Sequence, residues 1–178
     1  VIVSNRLPLQ ISKLENSFIF QPSSGGLATG LDSVHKNNDS IWVGWSGITS
    51  DELTKKNKLE IKNTLDDLRL IEVELNQKEV DEFYHGLSNK CIWPLFHYFI
   101  ELAKFNENDW LTYVDVNKKF CEKVIQNTEQ NGVVWVHDYQ LMLLPKLIKE
   151  QRPDLTIGFF LHIPFPCLLY TSDAADES

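Results

Sequence analysis

The chain has 178 residues, 43% of them apolar and 24% charged, a globular composition long enough to bury one sizeable core in a single domain. No apolar run approaches the roughly 18 residues of a membrane-spanning helix, and the opening VIVSNRLPLQ has neither a basic region nor a small-residue cleavage site, so a soluble, cytoplasmic protein with no membrane partner is expected. The net charge of −8, without a Lys/Arg cluster, argues against nucleic acid as a partner, and the widely spaced Cys91, Cys121 and Cys167, with no CxxC pair, fit a reducing compartment and no metal site.

The chain opens on Val1 directly inside a strand-like run, VIVSN, so a preceding segment is expected. The stretch RLPLQISKLENSFIFQPSSGG follows as a loop with room for a hairpin, and GGLATGLDSVHKN carries Leu27, Leu31 and Val34 at helical spacing. SIWVGWSGI is a second strand closed by Ser-Gly. The charged, weakly patterned segment Asp51 to Arg69 reads as a peripheral helix and connector, and LIEVEL as a short alternating strand.

NQKEVDEFYHGLSN reads as a helix capped by Asn76, with Glu79 at its third position and Gly86 at its end. WPLFHYFIELAKF and NDWLTYVDVNKKFCEKVIQNTEQNG are expected to be further helices, the second with Trp110, Val114, Phe120 and Val124 on one stripe. Strand VVWVHD, helix YQLMLLPKLIKEQ and strand TIGFFLHIP complete the order, and Pro145 falls inside the last helix, where it should kink it. Strands alternating with helices and long crossovers predict an α/β fold, a Rossmann-like doubly wound, mainly parallel sheet. After IPFP, periodicity disappears in CLLYTSDAADES. Residues 1–166 are therefore read as the domain, and 167–178 as a tail that is non-native or disordered.

Residues at the carboxyl ends of parallel strands open into the crevice where such sheets bind ligands. Arg6 follows the first strand, His137 and Asp138 follow VVWV, and His162 follows GFFL. Each of these on its own also fits a loop cap or a satisfied buried group. Gly25 and Gly26 stand where a helix starts, where bare backbone N–H groups and the helix dipole suit a phosphate. The same pair also fits a plain turn, and it matches neither GxGxxG nor the Walker pattern. Trp45, Tyr84 and Trp93 read either as core aromatics or as a wall on which a sugar face stacks.

Taken together, VSNRLP, SSGGLATGL, WVGWSG, FYHGLSNKCIWPLFHY, WVHDYQLMLLP and IGFFLHIPFP, in this order and spacing, resemble the N-terminal lobe of the trehalose-6-phosphate synthases, the UDP-forming enzymes of glycosyltransferase family 20. The resemblance covers Val1 to Pro166, with Asp51 to Gln77 the least distinctive part. It implies the N-terminal lobe of a two-lobed GT-B glycosyltransferase. The activity implied is transfer of glucose from UDP-glucose to glucose 6-phosphate, giving α,α-trehalose 6-phosphate and UDP with retained anomeric configuration.

The resemblance further implies that Arg6 binds the phosphate of glucose 6-phosphate, helped by Tyr84 and Trp93, with Trp45 flanking the pocket and Asp138 holding acceptor hydroxyls. Gly26 would let backbone approach the UDP-glucose donor, and His162 would contact the transferred glucose. His162 and Asp138 are thus the residues set against the reacting atoms. No cofactor, metal or covalent nucleophile is implied. The family pattern continues past IPFP with a second, C-terminal lobe that supplies the basic residues on the UDP diphosphate. This lobe is therefore counted among the required partners, and 1–166 is an incomplete acceptor-binding lobe that is expected to be inactive alone. A homo-oligomer or a trehalose-phosphatase partner fits the full-length protein. The alternative is a non-catalytic regulatory or sugar-phosphate-binding member of the same family.

Overall fold

The computed structural model describes residues 1–14, 17–23 and 26–166. Residues 167–178, Gly25 and the reading of the tail lie outside these.

Five parallel strands form the central sheet: β1 (Ile2–Arg6), β4 (Trp42–Trp45), β5 (Leu70–Glu72), β6 (Val133–His137) and β7 (Thr156–Phe160), in the order β5-β4-β1-β6-β7. The central strand β1, up to Asn5, and its neighbour β4 read as buried runs because both faces of the sheet are covered. Alternation along them sends Ile2 and Trp42 into one core and Val3 and Val43 into the other. The loop after β1 is an antiparallel hairpin, β2 (Leu9–Leu14) with β3 (Ser17–Pro22), and it packs Ile11, Phe18 and Phe20 onto the first core.

From β1 the chain winds outward through α1 (Gly26–Asn37) to β4 and through α2 (Lys55–Asp67) to β5. It then returns to the other side of β1 as β6 and ends, through α6 (Leu144–Gln151), in β7. The strand order therefore reverses between β1 and β6, the place where doubly wound sheets bind ligands. At the far end of the order, β7 exposes four of its five residues, Phe159 and Phe160 at 41% and 50%.

Several expectations need correction. The segment containing α2 is not peripheral. A capping box between Thr54 and Asn57 starts the helix, and Ile61 and Leu65 are buried beside Leu70. Two apolar residues one turn apart suffice to dock it, too few to show as a pattern among its lysines.

Gly86 does not end a helix. After the predicted box, in which Glu79 N–H donates to Asn76 Oδ1 and Asn76 N–H to Glu79 Oε2, α3 (Gln77–Glu79) runs without a break into a π-wound stretch, Val80–Ile92, and then α4 (Trp93–Phe96). Gly86 is buried in the middle, and a Cβ there would overlap the Asp109 carboxylate of α5 (Glu107–Gln126). The glycine is therefore a tertiary packing position and not a C-cap.

WPLFHYFIELAKF is not one helix. Tyr98 turns the chain at φ 63°, and only a single 3₁₀ turn, Ile100–Leu102, follows. On α5 the buried stripe is Tyr113, Val116, Asn117, Phe120, Cys121 and Val124, while Trp110 stands 39% exposed. Pro145 lies in the first turn of α6, where its missing N–H costs nothing, so it starts the helix and does not kink it.

No helix among the described residues is long and apolar enough to cross a membrane, and no group of three or more His, Cys, Asp or Glu side chains able to hold a metal ion occurs among them.

Candidate active site

Arg6 ends β1 where the pairing with β4 slips. Val3 stands opposite Val43, but Arg6 stands opposite Trp45, three residues on one strand against two on the other. Such a bulge re-aims the side chain that follows it. Buried Ser4 holds the strand ends in this state, accepting from Trp42 Nε1 at 2.8 Å and donating to the Arg6 carbonyl at 2.7 Å.

The guanidinium carbon of Arg6 sits 4.4 Å from the centre of the Trp45 ring and 5.5 Å from that of Tyr84. Trp45 is itself buried, its Nε1–H donating to the Ile48 carbonyl at 2.8 Å. No carboxylate pairs with Arg6 among the described residues.

Two glycines in WVGWSG make this approach possible, and neither was singled out from the sequence. At Gly44 a Cβ would stand 2.8 Å from the Leu7 nitrogen and 2.9 Å from the Arg6 carbonyl carbon. Gly47 adopts φ +94°, with space for a Cβ only 3.1 Å from Arg6 Nη1.

Asp138 follows β6, and Val136 of that strand pairs with Val3, so Arg6 and Asp138 leave neighbouring strands at the same edge. Asp138 holds φ 77° and ψ 170°, a conformation that is costly for any residue with a side chain. Three bonds enforce it: its N–H donates to the Phe160 carbonyl at 2.8 Å, its carbonyl accepts from Leu141 N–H at 3.1 Å, and its Oδ1 accepts from His162 N–H at 3.2 Å. The turn that follows is pinned from α5, where the Tyr113 hydroxyl donates to the Tyr139 carbonyl at 2.7 Å. The Tyr139 hydroxyl in turn donates to Asn89 Oδ1 at 2.9 Å, which ties the Asp138 loop to the π-wound stretch that carries Tyr84. Burial, with Asp138 as the next cause, pushes the Tyr139 hydroxyl up to about 12, so it remains a donor at neutral pH.

Beside this edge lies a cavity of about 270 Å³ lined by Gly26 and Gly30 of α1 and by Trp135, His137, Phe160 and His162. The two residues expected on the donor side, Gly26 and His162, therefore share one cavity. His137 is buried with Nδ1 3.1 Å from His162 Nε2. Burial, then the neighbouring His162, pushes its pKa down to about 4, so it is neutral at pH 7. A larger cavity of about 520 Å³ lies between α1, the base of the hairpin and the α2–β5 turn, lined by Pro8, Ser23, Thr29 and Arg69 among others, and contains none of the seven expected residues.

The structure thus gathers Arg6, Trp45 and Tyr84 in one group and Gly26, Asp138 and His162 in another at the same sheet edge. Trp93 lies further along the same helical stretch as Tyr84. Its ring, 40% exposed, stacks on His97 at 4.1 Å.

Residues 1–170 match the model of glycosyltransferase family 20. The chain belongs to glycosyltransferase family 20. Among members of this family, trehalose-6-phosphate synthase of Mycobacterium leprae is 44% identical over 168 residues, covering 93% of this chain and 33% of the relative. A Burkholderia xenovorans α,α-trehalose-phosphate synthase (UDP-forming), solved in complex with glucose-6-phosphate, superposes with a TM-score of 0.70 at 29% identity over 93% of this chain and 33% of its own. A structure described as trehalose-6-phosphate from E. coli bound with UDP-2-fluoro glucose gives 0.69 at 31% identity, with the same coverage of 93% and 33%. The chain spans about a third of the length of these glycosyltransferase family 20 proteins. Its fold is the Rossmann-like α/β architecture of one lobe of the two-lobed GT-B enzymes.

Proposed function

We propose that this chain is the acceptor-holding lobe of a retaining glycosyltransferase that moves glucose from UDP-glucose to glucose 6-phosphate, releasing UDP and α,α-trehalose 6-phosphate. The observation that carries the reading is the Arg6 guanidinium, held over Trp45 at the point where the strand order reverses, with no carboxylate partner among the described residues. A planar cation in that position suits bidentate binding of a phosphate.

In this reading Arg6 takes the acceptor phosphate, with Trp45 and Tyr84 fixing its plane and Trp93 forming the outer part of the wall. The Asp138 carboxylate, one oxygen already engaged by the His162 N–H, accepts from an acceptor hydroxyl with the other. Gly26, at the start of α1, leaves backbone open to the donor, and His162 meets the transferred glucose. The relatives solved with glucose-6-phosphate and with UDP-2-fluoro glucose support this pair of substrates.

The protein's contribution is then position and charge. Binding holds hydroxyl and anomeric carbon at reacting distance, and fixed dipoles favour the positive character that develops on the sugar. No side chain is assigned a covalent role. Cations for the donor diphosphate are assigned to a second lobe, because the chain spans a third of its relatives. Cys91 and Cys121 are free thiols, which supports a reducing, cytoplasmic setting.

The test is an assay of the full-length protein that carries this chain. UDP and trehalose 6-phosphate are expected from UDP-glucose and glucose 6-phosphate, and the chain alone should bind glucose 6-phosphate without turnover. A folded full-length protein that releases no UDP from any glucose donor would favour a regulatory role, and turnover by the chain alone would overturn the two-lobe assignment.

A further inference from the structure

The lining of the donor-side cavity includes a histidine that is almost wholly buried. His137 is 1% exposed, and its Nε2 is buried with no partner among the described residues, while Nδ1 faces His162 Nε2 at 3.1 Å. At that distance one proton lies between the two facing nitrogens, and it belongs to one ring or the other.

The two arrangements leave different groups stranded. If His162 were the donor, the single proton of neutral His137 would sit on Nε2 as a buried N–H with no acceptor. If His137 is the donor, what is stranded is a bare lone pair. Native structures leave buried N–H groups orphaned less often than acceptors. The next residue holds the same target, since Asp138 Oδ1 accepts the His162 backbone N–H at 3.2 Å. Consecutive residues at the end of β6 therefore grip His162 at two points, ring and backbone.

We propose that His137 is a positioning residue that donates from Nδ1 to His162 Nε2 and so fixes the His162 ring with Nδ1–H as its available group. His162 lines the cavity, and with Nε2 committed it can offer a ligand only a hydrogen-bond donor. Its partner there is an oxygen acceptor, which for the donor-side reading of His162 is an oxygen of the transferred sugar. That last step rests on the proposed function, whereas the protonation pattern does not.

Long-range proton–nitrogen correlation spectra of the chain, labelled at histidine and recorded near pH 7.5, read the pattern directly. Both His137 and His162 are expected in the Nδ1–H form, each preferred by about tenfold, the scale of one net hydrogen bond. His137 found as Nε2–H would overturn the proposal. His137→Asn retains an N–H near the same place and should keep His162 in the Nδ1–H form. His137→Leu should reduce that preference to within about twofold, and an unchanged His162 would count against the proposal. If His137→Leu does not fold, the wild-type and His137→Asn spectra still decide. Failure of the full-length protein to bind UDP-glucose in a parallel titration would remove the donor-side reading and leave the protonation result standing.

Discussion

Arg6 and Trp45 face each other across neighbouring strands, and the guanidinium carbon lies 4.4 Å from the centre of the indole ring. The bulge between Val3 and Arg6 creates the pairing, and Gly44 and Gly47 leave room for it. Stacking restrains the side chain before any anion arrives, so less ordering remains to be done on binding.

Arg6→Ala should weaken glucose 6-phosphate binding by about 1.5–3 kcal/mol, the scale of hydrogen bonds to a charged group. Titration calorimetry on the full-length wild type and variant measures this, with UDP-glucose as the control that should change little. Arg6→Lys keeps the charge but loses the planar fork, and its affinity should fall between the two. Equal acceptor affinity in all three proteins would reduce Arg6 to a loop residue.

The contact between Gly86 and Asp109 makes a second prediction. A methyl at Gly86 meets the far end of the Asp109 side chain, which must move aside, so Gly86→Ala should destabilise the fold by about 1 kcal/mol. Shortening the obstacle should relieve the clash, so adding Asp109→Ala should return part of the loss. Urea denaturation of the four proteins in the cycle gives the coupling, and strictly additive losses would refute the steric account.

Acid should destabilise the protein through His137. Its pKa falls from the ordinary 6.5 to about 4 on folding, so between these values the unfolded chain binds more protons and stability rises with pH. The contribution is complete above pH 6.5 and is lost as pH falls towards 4, to a total of about 3 kcal/mol at most. Glu72 and Asp109, both raised chiefly by burial, act in the opposite sense near the bottom of that window. The informative quantity is therefore the difference between wild type and His137→Asn. Between pH 7 and 4.5 the variant should lose less stability by about 1–3 kcal/mol, and parallel curves would show that His137 takes up its proton freely.

The sheet was legible because VIVSN, WVGW, VVWV and IGFF are short apolar runs that declare a strand without a partner in sequence, and in β1 and β4 that run is buried on both faces. Arg6, Asp138 and His162 were legible for the same reason, as polar residues placed where such runs stop. What the sequence concealed depends on contacts between distant segments. Gly86 looks like a helix stop until Asp109 is seen against it, and α2 looks peripheral until Ile61 and Leu65 meet Leu70. Tyr98 carries no local signal for its positive φ. Ser4, Gly44 and Gly47 matter through the angle they give Arg6, and spacing alone does not encode an angle.

The open side of β7 has a practical consequence. This strand has no neighbour on its outer side among the described residues, and it presents Phe159 and Phe160 to water on opposite faces. A row of unpaired backbone donors and acceptors with apolar side chains above and below is a template for another strand. Expressed by itself at high concentration, this polypeptide should stick to itself along that edge, so dilute samples and a solubilising fusion are the sensible way to handle it.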